Sequence, residues 1–321
     1  MELYQSIARY FAAALALLVL ELVYFRVARF YSIVDKPNAR SSHLIPAIRG
    51  GGVIFLAAAL IWYAWTGFQH TMTAAGLSAI AVISFLDDVV TLPARWRLIV
   101  QLSGTVLLVL TAAIGLPGWW LVPVCIVATG VMNAFNFMDG INGITGIYAA
   151  VTLITLRWGL PADIVSTDLA LLCEVSLLAT AVFLFFNFRG TALCFAGDVG
   201  SVTMAGIIIY LLLSYMMRTQ NPAWLLLLLV YGIDSIGTIL IRLSRRENIF
   251  KAHRSHLYQI LCNERKLPHR TVAIVYGAVQ AVVNVLAIAW FQHQAFVWTV
   301  VFTLITGVIY LAIRRMVSVH G

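Results

Sequence analysis

Charge is what this chain has least of: 11% of its 321 residues are Asp, Glu, Lys or Arg, against 62% hydrophobic residues. A water-facing surface needs about twice that share of charge, so a soluble globular domain is excluded. Cysteine is scarce too. Cys125, Cys173, Cys194 and Cys262 show no paired spacing, which argues against both a disulfide frame and a zinc site. The sequence holds no Walker lysine motif, no dinucleotide-binding Gly-x-Gly-x-x-Gly and no Gly-x-Ser-x-Gly elbow. It has no internal repeat, no inverted pair of halves and no separate soluble domain, so residues 1–321 read as one domain. The formal net charge of +8 is no nucleic-acid signal, because the basic residues are spread through loops on one side. No cleavable leader is apparent: the run Phe11–Val23 lacks a basic flank and a small-residue cleavage site, and reads as a first span.

What is present is a series of long apolar runs. A span takes about 20 apolar residues. On that measure the spans are Ile7–Phe30, Gly51–Trp65, Met72–Leu86, Leu98–Ile114, Trp119–Asn136, Ile141–Leu156, Leu169–Phe186, Val199–Met217, Pro222–Ile241, Val272–Trp290 and Ala295–Ile313. The expectation is an all-α, polytopic integral membrane bundle of about eleven transmembrane helices. Arginine and lysine collect in alternate loops: Lys36, Arg40 and Arg49, then Arg95 and Arg97, Arg189, Arg242 through Arg270, and Arg314 with Arg315. The other loops hold only Arg157 and Arg218. By the positive-inside rule the N-terminus is periplasmic and the C-terminus cytoplasmic.

Every polar cluster falls in the loops read as cytoplasmic, whereas transporters place such groups near the bilayer midplane. The central stretch is Asn133–Gly146, with Asp139, three asparagines and three glycines between two apolar runs. Gly140 and its neighbours let a ligand approach the backbone, and Asp139 with Asn136 and Asn142 offers hard oxygen ligands. A helix-packing joint would explain the asparagines but not Asp139. Asp87 and Asp88 end an apolar run, where acids oppose the helix dipole, and adjacent carboxylates need a metal or cation to ionise together. Asp198 lies in a Gly-Asp-Val-Gly-Ser turn before a span, suited either to N-capping or to metal ligation. Phe195 precedes it by three residues, placed to stack on a base, and Asn187 lies further upstream. Arg49 and Gly50 suit a phosphate, though taken alone a flexible positive-inside loop with Lys36 and His43 is the better reading. His253 and His256, read as one helix face at i,i+3 with Arg254 between them, fit phosphate or sugar recognition better than a two-histidine zinc site. His269 reads as an ordinary loop residue, and His70, His293 and His320 as uninvolved. Acids beside cations, without an activated serine or cysteine, suggest metal-assisted phosphoryl transfer.

In this order, Asp87-Asp88, Asn-Phe-Met-Asp-Gly-Ile-Asn-Gly, Phe-Ala-Gly-Asp-Val-Gly-Ser and His-Arg-Ser-His resemble the polyprenyl-phosphate N-acetylhexosamine-1-phosphate transferases, the MraY/WecA-like family. The resemblance spans nearly the whole chain. It implies transfer of an N-acetylhexosamine-1-phosphate from a UDP-N-acetylhexosamine to undecaprenyl phosphate, with Mg2+ (or Mn2+) and release of UMP. It implies an enzyme in the bacterial inner membrane with a cytoplasmic active site, and a homodimer is an expectation from the family alone. Carried over, Asp87 and Asp88 match the aspartate pair near the lipid phosphate. Asp139 and Asn142 match the nucleotide and diphosphate motif, Asp198 a metal ligand, and Asn187 and Phe195 the uridine pocket. The peptidoglycan branch has adjacent histidines, whereas here His253 and His256 are separated. That form looks like the O-antigen-initiating branch, with GlcNAc, FucNAc or QuiNAc as sugar. The alternatives are a phospho-MurNAc-pentapeptide transferase and, more distantly, a membrane transporter.

Overall fold

The structure is a computed structural model that describes residues 2–35, 45–90, 92–159, 164–249, 253–290 and 295–318. Of the residues read as a first basic cluster, Lys36, Pro37, Arg40, Ser41, Ser42 and His43 lie outside them, as do Lys251, His293 and His320.

The chain is an all-α bundle. Its helices are α1 Glu2–Phe30, α2 Val53–Trp65, α3 Thr71–Val90, α4 Ala94–Ala112, α5 Gly118–Met138, α6 Ile144–Trp158, α7 Thr167–Asn187, α8 Gly197–Thr219, α9 Leu229–Ser244, α10 Leu257–Asn263, α11 His269–Trp290 and α12 Ala295–Ser318. A 3-10 segment, Pro222–Leu228, runs into α9, and the Asn221 side chain accepts from Ala223 N–H at 2.9 Å to start it. Among the described residues nine helices are long and apolar enough to cross a membrane. Two more apolar helices, α2 and α6, are shorter, with 13 and 15 residues. The protein is therefore a multi-pass membrane protein; among the described residues nine of the eleven runs read as spans form helices of spanning length, and the other two are the shorter α2 and α6.

The boundaries moved where polar residues are satisfied by partners. The third element, expected to stop at Leu86, runs on to Val90 because Asp87 and Asp88 find partners across the bundle. The sixth begins at Ile144 instead of Ile141, after Gly143 turns the chain with φ +88°. Two features were not expected: the short helix α10, and a two-stranded hairpin of β1 Val34–Asp35 and β2 Ala47–Ile48.

Helix α8 is the centre. The window of α8 that could span a bilayer is 89% buried, far above any other span, as expected for a helix apolar all round. It packs against α3, α5, α4 and α2. At its amino end Gly52 meets Gly200 backbone to backbone, a closeness only glycine on both sides permits. The segment 48–52 then follows 193–196: Phe195 N–H donates to Ile48 O at 2.8 Å, Gly51 N–H to Phe195 O at 2.8 Å and Gly52 N–H to Ala196 O at 3.0 Å. This backbone pairing carries Arg49 to the start of α8. The polar helix ends Asp87–Asp88, Asp139, Asn187 and Asp198 gather at the same end of the bundle. At the other end His70 pairs with Asp168 at 2.9 Å and stacks on Trp62.

Candidate active site

Asp88 is the centre of the charged end. Its side chain is fully buried and both oxygens are occupied: Oδ1 by Arg49 Nε at 2.7 Å and Asp198 N–H at 3.0 Å, Oδ2 by Val199 N–H at 2.9 Å. The end of α3 therefore satisfies the orphan amides at the start of α8, where a carboxylate is favoured by the helix dipole. This resolves the conflict of acids at a helix C-terminus, because each acid serves something other than its own helix. Asp87 accepts from Leu92 N–H at 2.7 Å and pairs with Arg97.

Asp198 stands in the first turn of α8, not at its N-cap, which is Ala196. Its side chain faces two guanidinium groups, Arg49 at 3.7 Å and Arg97 at 3.5 Å, and hydrogen-bonds the Asn136 side chain. Arg49 and Arg97 thus each bridge Asp198 to one member of the aspartate pair. Gly50 has φ +82° and lies against the Tyr24 hydroxyl, which accepts no Cβ there and itself donates to Arg49 O at 2.5 Å.

Asp139 caps the end of α5. Burial pushes its carboxyl up to about 7, the nearby Asp198 and Asp88 charges add to that, and the Thr145 hydroxyl, donating at 2.7 Å, opposes it. No cation pairs with Asp139 among the described residues. The following residue, Gly140, lies under the Tyr258 ring, where a Cβ would strike the hydroxyl.

The asparagines divide. Asn187 is buried and braces a turn: its Oδ1 accepts from Gly143 N–H at 2.6 Å and its Nδ2 donates to Cys194 O at 2.8 Å. Asn142 donates to Arg189 O at 2.9 Å and, with Phe195, lines a cavity of about 350 Å³. His269, Arg189 and Arg270 share that cavity. His269 is therefore not the ordinary loop residue its sequence context suggests. It opens α11, and the fold brings that end to the Phe195 turn.

His253 and His256 do come together, with ring centroids 4.9 Å apart. They are not on a helix face, though: residues 253–255 are irregular and His256 precedes α10. Phe137 lies 6.5 Å from one ring and 6.2 Å from the other, so the histidines sit beside the Asp139 turn. Burial, with a smaller contribution from the neighbouring imidazole and arginines, pushes His253 down to about 4, so it is neutral at pH 7. Arg254, between them, is half-buried.

Three further residues stand with the site. Arg97, which follows the aspartate pair in the sequence, pairs with Asp87 and faces Asp198. Tyr258, two residues after His256, donates its hydroxyl to Phe137 O at 2.8 Å. Asp234 is the lone acid of an otherwise apolar span, and a lone intramembrane charge is itself a signal. These features define a polytopic membrane protein with a charged site built from several helix ends.

Comparison with known proteins narrows this class. The family described as Glycosyl transferase family 4 matches residues 70–216, from α3 to α8, and so takes in Asp87, Asp88, Asp139 and Asp198. A Bacillus subtilis (strain 168) protein named probable undecaprenyl-phosphate N-acetylglucosaminyl 1-phosphate transferase is 25% identical, over 97% of this chain and 92% of its own. The undecaprenyl-phosphate alpha-N-acetylglucosaminyl 1-phosphate transferase of Escherichia coli (strain K12) is 23% identical, over 85% and 81%. The phospho-N-acetylmuramoyl-pentapeptide-transferase of Enterococcus hirae is 26% identical, over 75% and 83%. Residues 70–216 thus resemble glycosyl transferase family 4, and the similarity to these relatives over most of the chain is in keeping with the resemblance of its motifs.

Proposed function

We propose that this protein transfers an N-acetylhexosamine-1-phosphate from a UDP-sugar to undecaprenyl phosphate, releasing UMP on the cytoplasmic face of a bacterial inner membrane. The observation that carries the reading is the interlock of Asp87, Asp88 and Asp198 with Arg49 and Arg97, beside the buried Asp139. Phosphoryl transfer needs little covalent chemistry from a protein, and depends mainly on positioning and charge neutralisation. Two arginines held rigidly by carboxylates, at the end of a bundle whose walls are lipid-facing, suit a lipid phosphate meeting a nucleotide diphosphate.

Mg2+ fits the donor set. It takes one or two carboxylates and completes its shell with water and substrate phosphate oxygens. Asp139 and Asp198 are close enough for their charges to interact, and a cation held between them would stabilise the buried Asp139 carboxylate. Among the described residues no group of three or more His, Cys, Asp or Glu is arranged to hold a metal unaided, so substrate oxygens are part of the expected site. When bound, the ion offsets repulsion between the two phosphates and makes UMP a better leaving group.

In the reaction a lipid phosphate oxygen forms a bond to the β-phosphorus, and the bond from that phosphorus to the bridging oxygen breaks, leaving UMP. A phosphate monoester is largely dianionic at neutral pH, with its second pKa at about 6, so base catalysis contributes little. Asp87 and Asp88 then act mainly by fixing Arg97 and Arg49, which agrees with their occupied oxygens. A covalent route, with an aspartate as nucleophile, is the competing mechanism, and isolation of a radiolabelled phospho-sugar-enzyme would replace the direct route. The cavity bearing Asn142 and Phe195 is assigned to uracil, and the 253–256 loop to the diphosphate or sugar.

Two relatives aligned over most of their length are named for N-acetylglucosaminyl 1-phosphate transfer; GlcNAc is therefore the sugar proposed first, with FucNAc and QuiNAc as alternatives, and the O-antigen role rests on the motif resemblance alone. The test uses purified protein, undecaprenyl phosphate, Mg2+ and a panel of UDP-N-acetylhexosamines, with UMP release as readout. UMP released with one sugar and abolished by EDTA supports the reading. Absence of both UMP release and uridine-nucleotide binding overturns it.

A further inference from the structure

The carboxylate of Asp234, in α9, takes no part in the charged cluster, yet it is 1% exposed. Every hydrogen bond it makes is as an acceptor. Oδ1 accepts from Leu257 N–H at 2.9 Å and from the Tyr310 hydroxyl at 3.2 Å. Oδ2 accepts from the Tyr276 hydroxyl at 2.7 Å and from Tyr258 N–H at 3.4 Å. The donors come from α10, α11 and α12, so one side chain gathers three helices. His256 Nδ1 stands 3.6 Å from Oδ1. An ionised group inside an apolar span is costly, and it persists where it is held by donors and put to use.

The second half of the connection leaves α10 in the other direction. Tyr258 sends its hydroxyl to Phe137 O and covers Gly140, so it grips the turn that presents Asp139. Phe137 in turn packs beside His253 and His256. From α12, Arg314 Nη2 donates to Ser255 O at 2.7 Å and Nη1 to the Thr238 hydroxyl at 2.7 Å, fixing the loop just before α10. A continuous set of contacts therefore runs from Asp234 through the start of α10 to the Asp139 turn.

We infer that Asp234 is a positioning residue: it clamps the amino end of α10 so that His256 and Tyr258 hold the His253 loop and the Asp139 turn in register with the phosphate end of the site. The functional half of this inference rests on the transfer reading above. The clamp itself does not. An aspartate is required because all its partners are donors. Asparagine would set its own N–H2 against a hydroxyl or amide donor on one side, and lose the charge that faces His256.

The test uses the full-length protein in detergent with the Asp234→Asn, His256→Ala and doubly substituted variants, and Tyr276→Phe as a milder variant that removes one donor and leaves the acceptor intact. Hydrogen exchange is followed in the peptide that contains Leu257 and Tyr258, and UMP release is measured with the UDP-sugar that wild type uses. Asp234→Asn is expected to speed exchange in that peptide at least tenfold. It is also expected to lower kcat by about 10- to 100-fold, the scale seen when a residue that orients a ligand is lost, with KM for the UDP-sugar within about threefold of wild type. The double variant is expected to be no worse than the poorer single one, since both act through the same element. Tyr276→Phe should move both readouts in the same direction by less, and it decides the matter should Asp234→Asn not fold. Unchanged exchange around Leu257, or losses that multiply in the double variant, would overturn the inference. If wild type releases no UMP, the transfer reading fails, while the exchange measurement still decides the clamp.

Discussion

At the scale of single residues the aspartates separate into two kinds. Asp88 has its oxygens occupied by Arg49 and two amides, so replacing it leaves a half-exposed arginine and the buried amides at the start of α8 without their partner. Asp88→Ala is expected to cost about 1–3 kcal/mol of stability, chiefly from the buried amides left without an acceptor, and to show as a lowered melting temperature. Asp198→Asn keeps the shape and the hydrogen-bonding capacity but not the charge. It should leave the melting temperature within a few degrees and reduce UMP release by about 100-fold or more. Asp139 gives a pH dependence of defined sign. Its carboxyl is pushed from the ordinary 3.8 up to about 7 in the metal-free fold, so the folded state binds a proton that the unfolded state has released. Its contribution to stability is complete below pH 4 and is lost as pH rises through about 7. A metal bound to the carboxylate reverses this. Mg2+ should raise the melting temperature little at pH 5 and clearly at pH 8, with protons released on binding near pH 7.

At the scale of elements, the approach of α2 to α8 through Gly52 and Gly200 sets where Arg49 can reach. Gly52→Ala pushes a methyl into the backbone of the facing helix, and overpacking of this kind costs about 1–3 kcal/mol. The expected result is a lower melting temperature together with lost activity, because the Arg49 loop moves with α2. Gly118, with open space where a Cβ would lie, is the control, and Gly118→Ala should leave both unchanged. The pairing of residues 48–52 with 193–196 shows why the first basic loop could not be assigned from sequence. Three glycines beside Arg49 read as a flexible loop until the chain segment lying alongside is known.

At the scale of the whole molecule, alternation of basic loops predicts which end faces the cytoplasm. The four cysteines are all buried and unpaired, so background labelling should be low. A cysteine introduced at Gly118 should react with an impermeant maleimide on intact cells, and one at Arg245 only after permeabilisation. The opposite pattern would put the charged end outside and remove the cytoplasmic UDP-sugar from its reach.

Hydropathy needs no neighbour to be read, because a bilayer acts on each apolar run separately. That is why the all-α bundle, the places of its apolar runs and the concentration of acids, asparagines and histidines in alternate loops were determined by sequence alone. Motif order was legible for the same reason, as each of Asp87, Asp139, Asp198 and His253 lies in a short contiguous run. What only tertiary structure decided is the partnership among those runs. Arg97 reaching Asp198, Asp88 capping a helix 110 positions later in the chain, His269 turning into the Phe195 cavity and Asp234 clamping α10 all depend on helix ends meeting in space. Charge and hydrogen bonding act over a few ångströms, so which residues share a site is fixed by packing, and spacing along the chain carries no record of it.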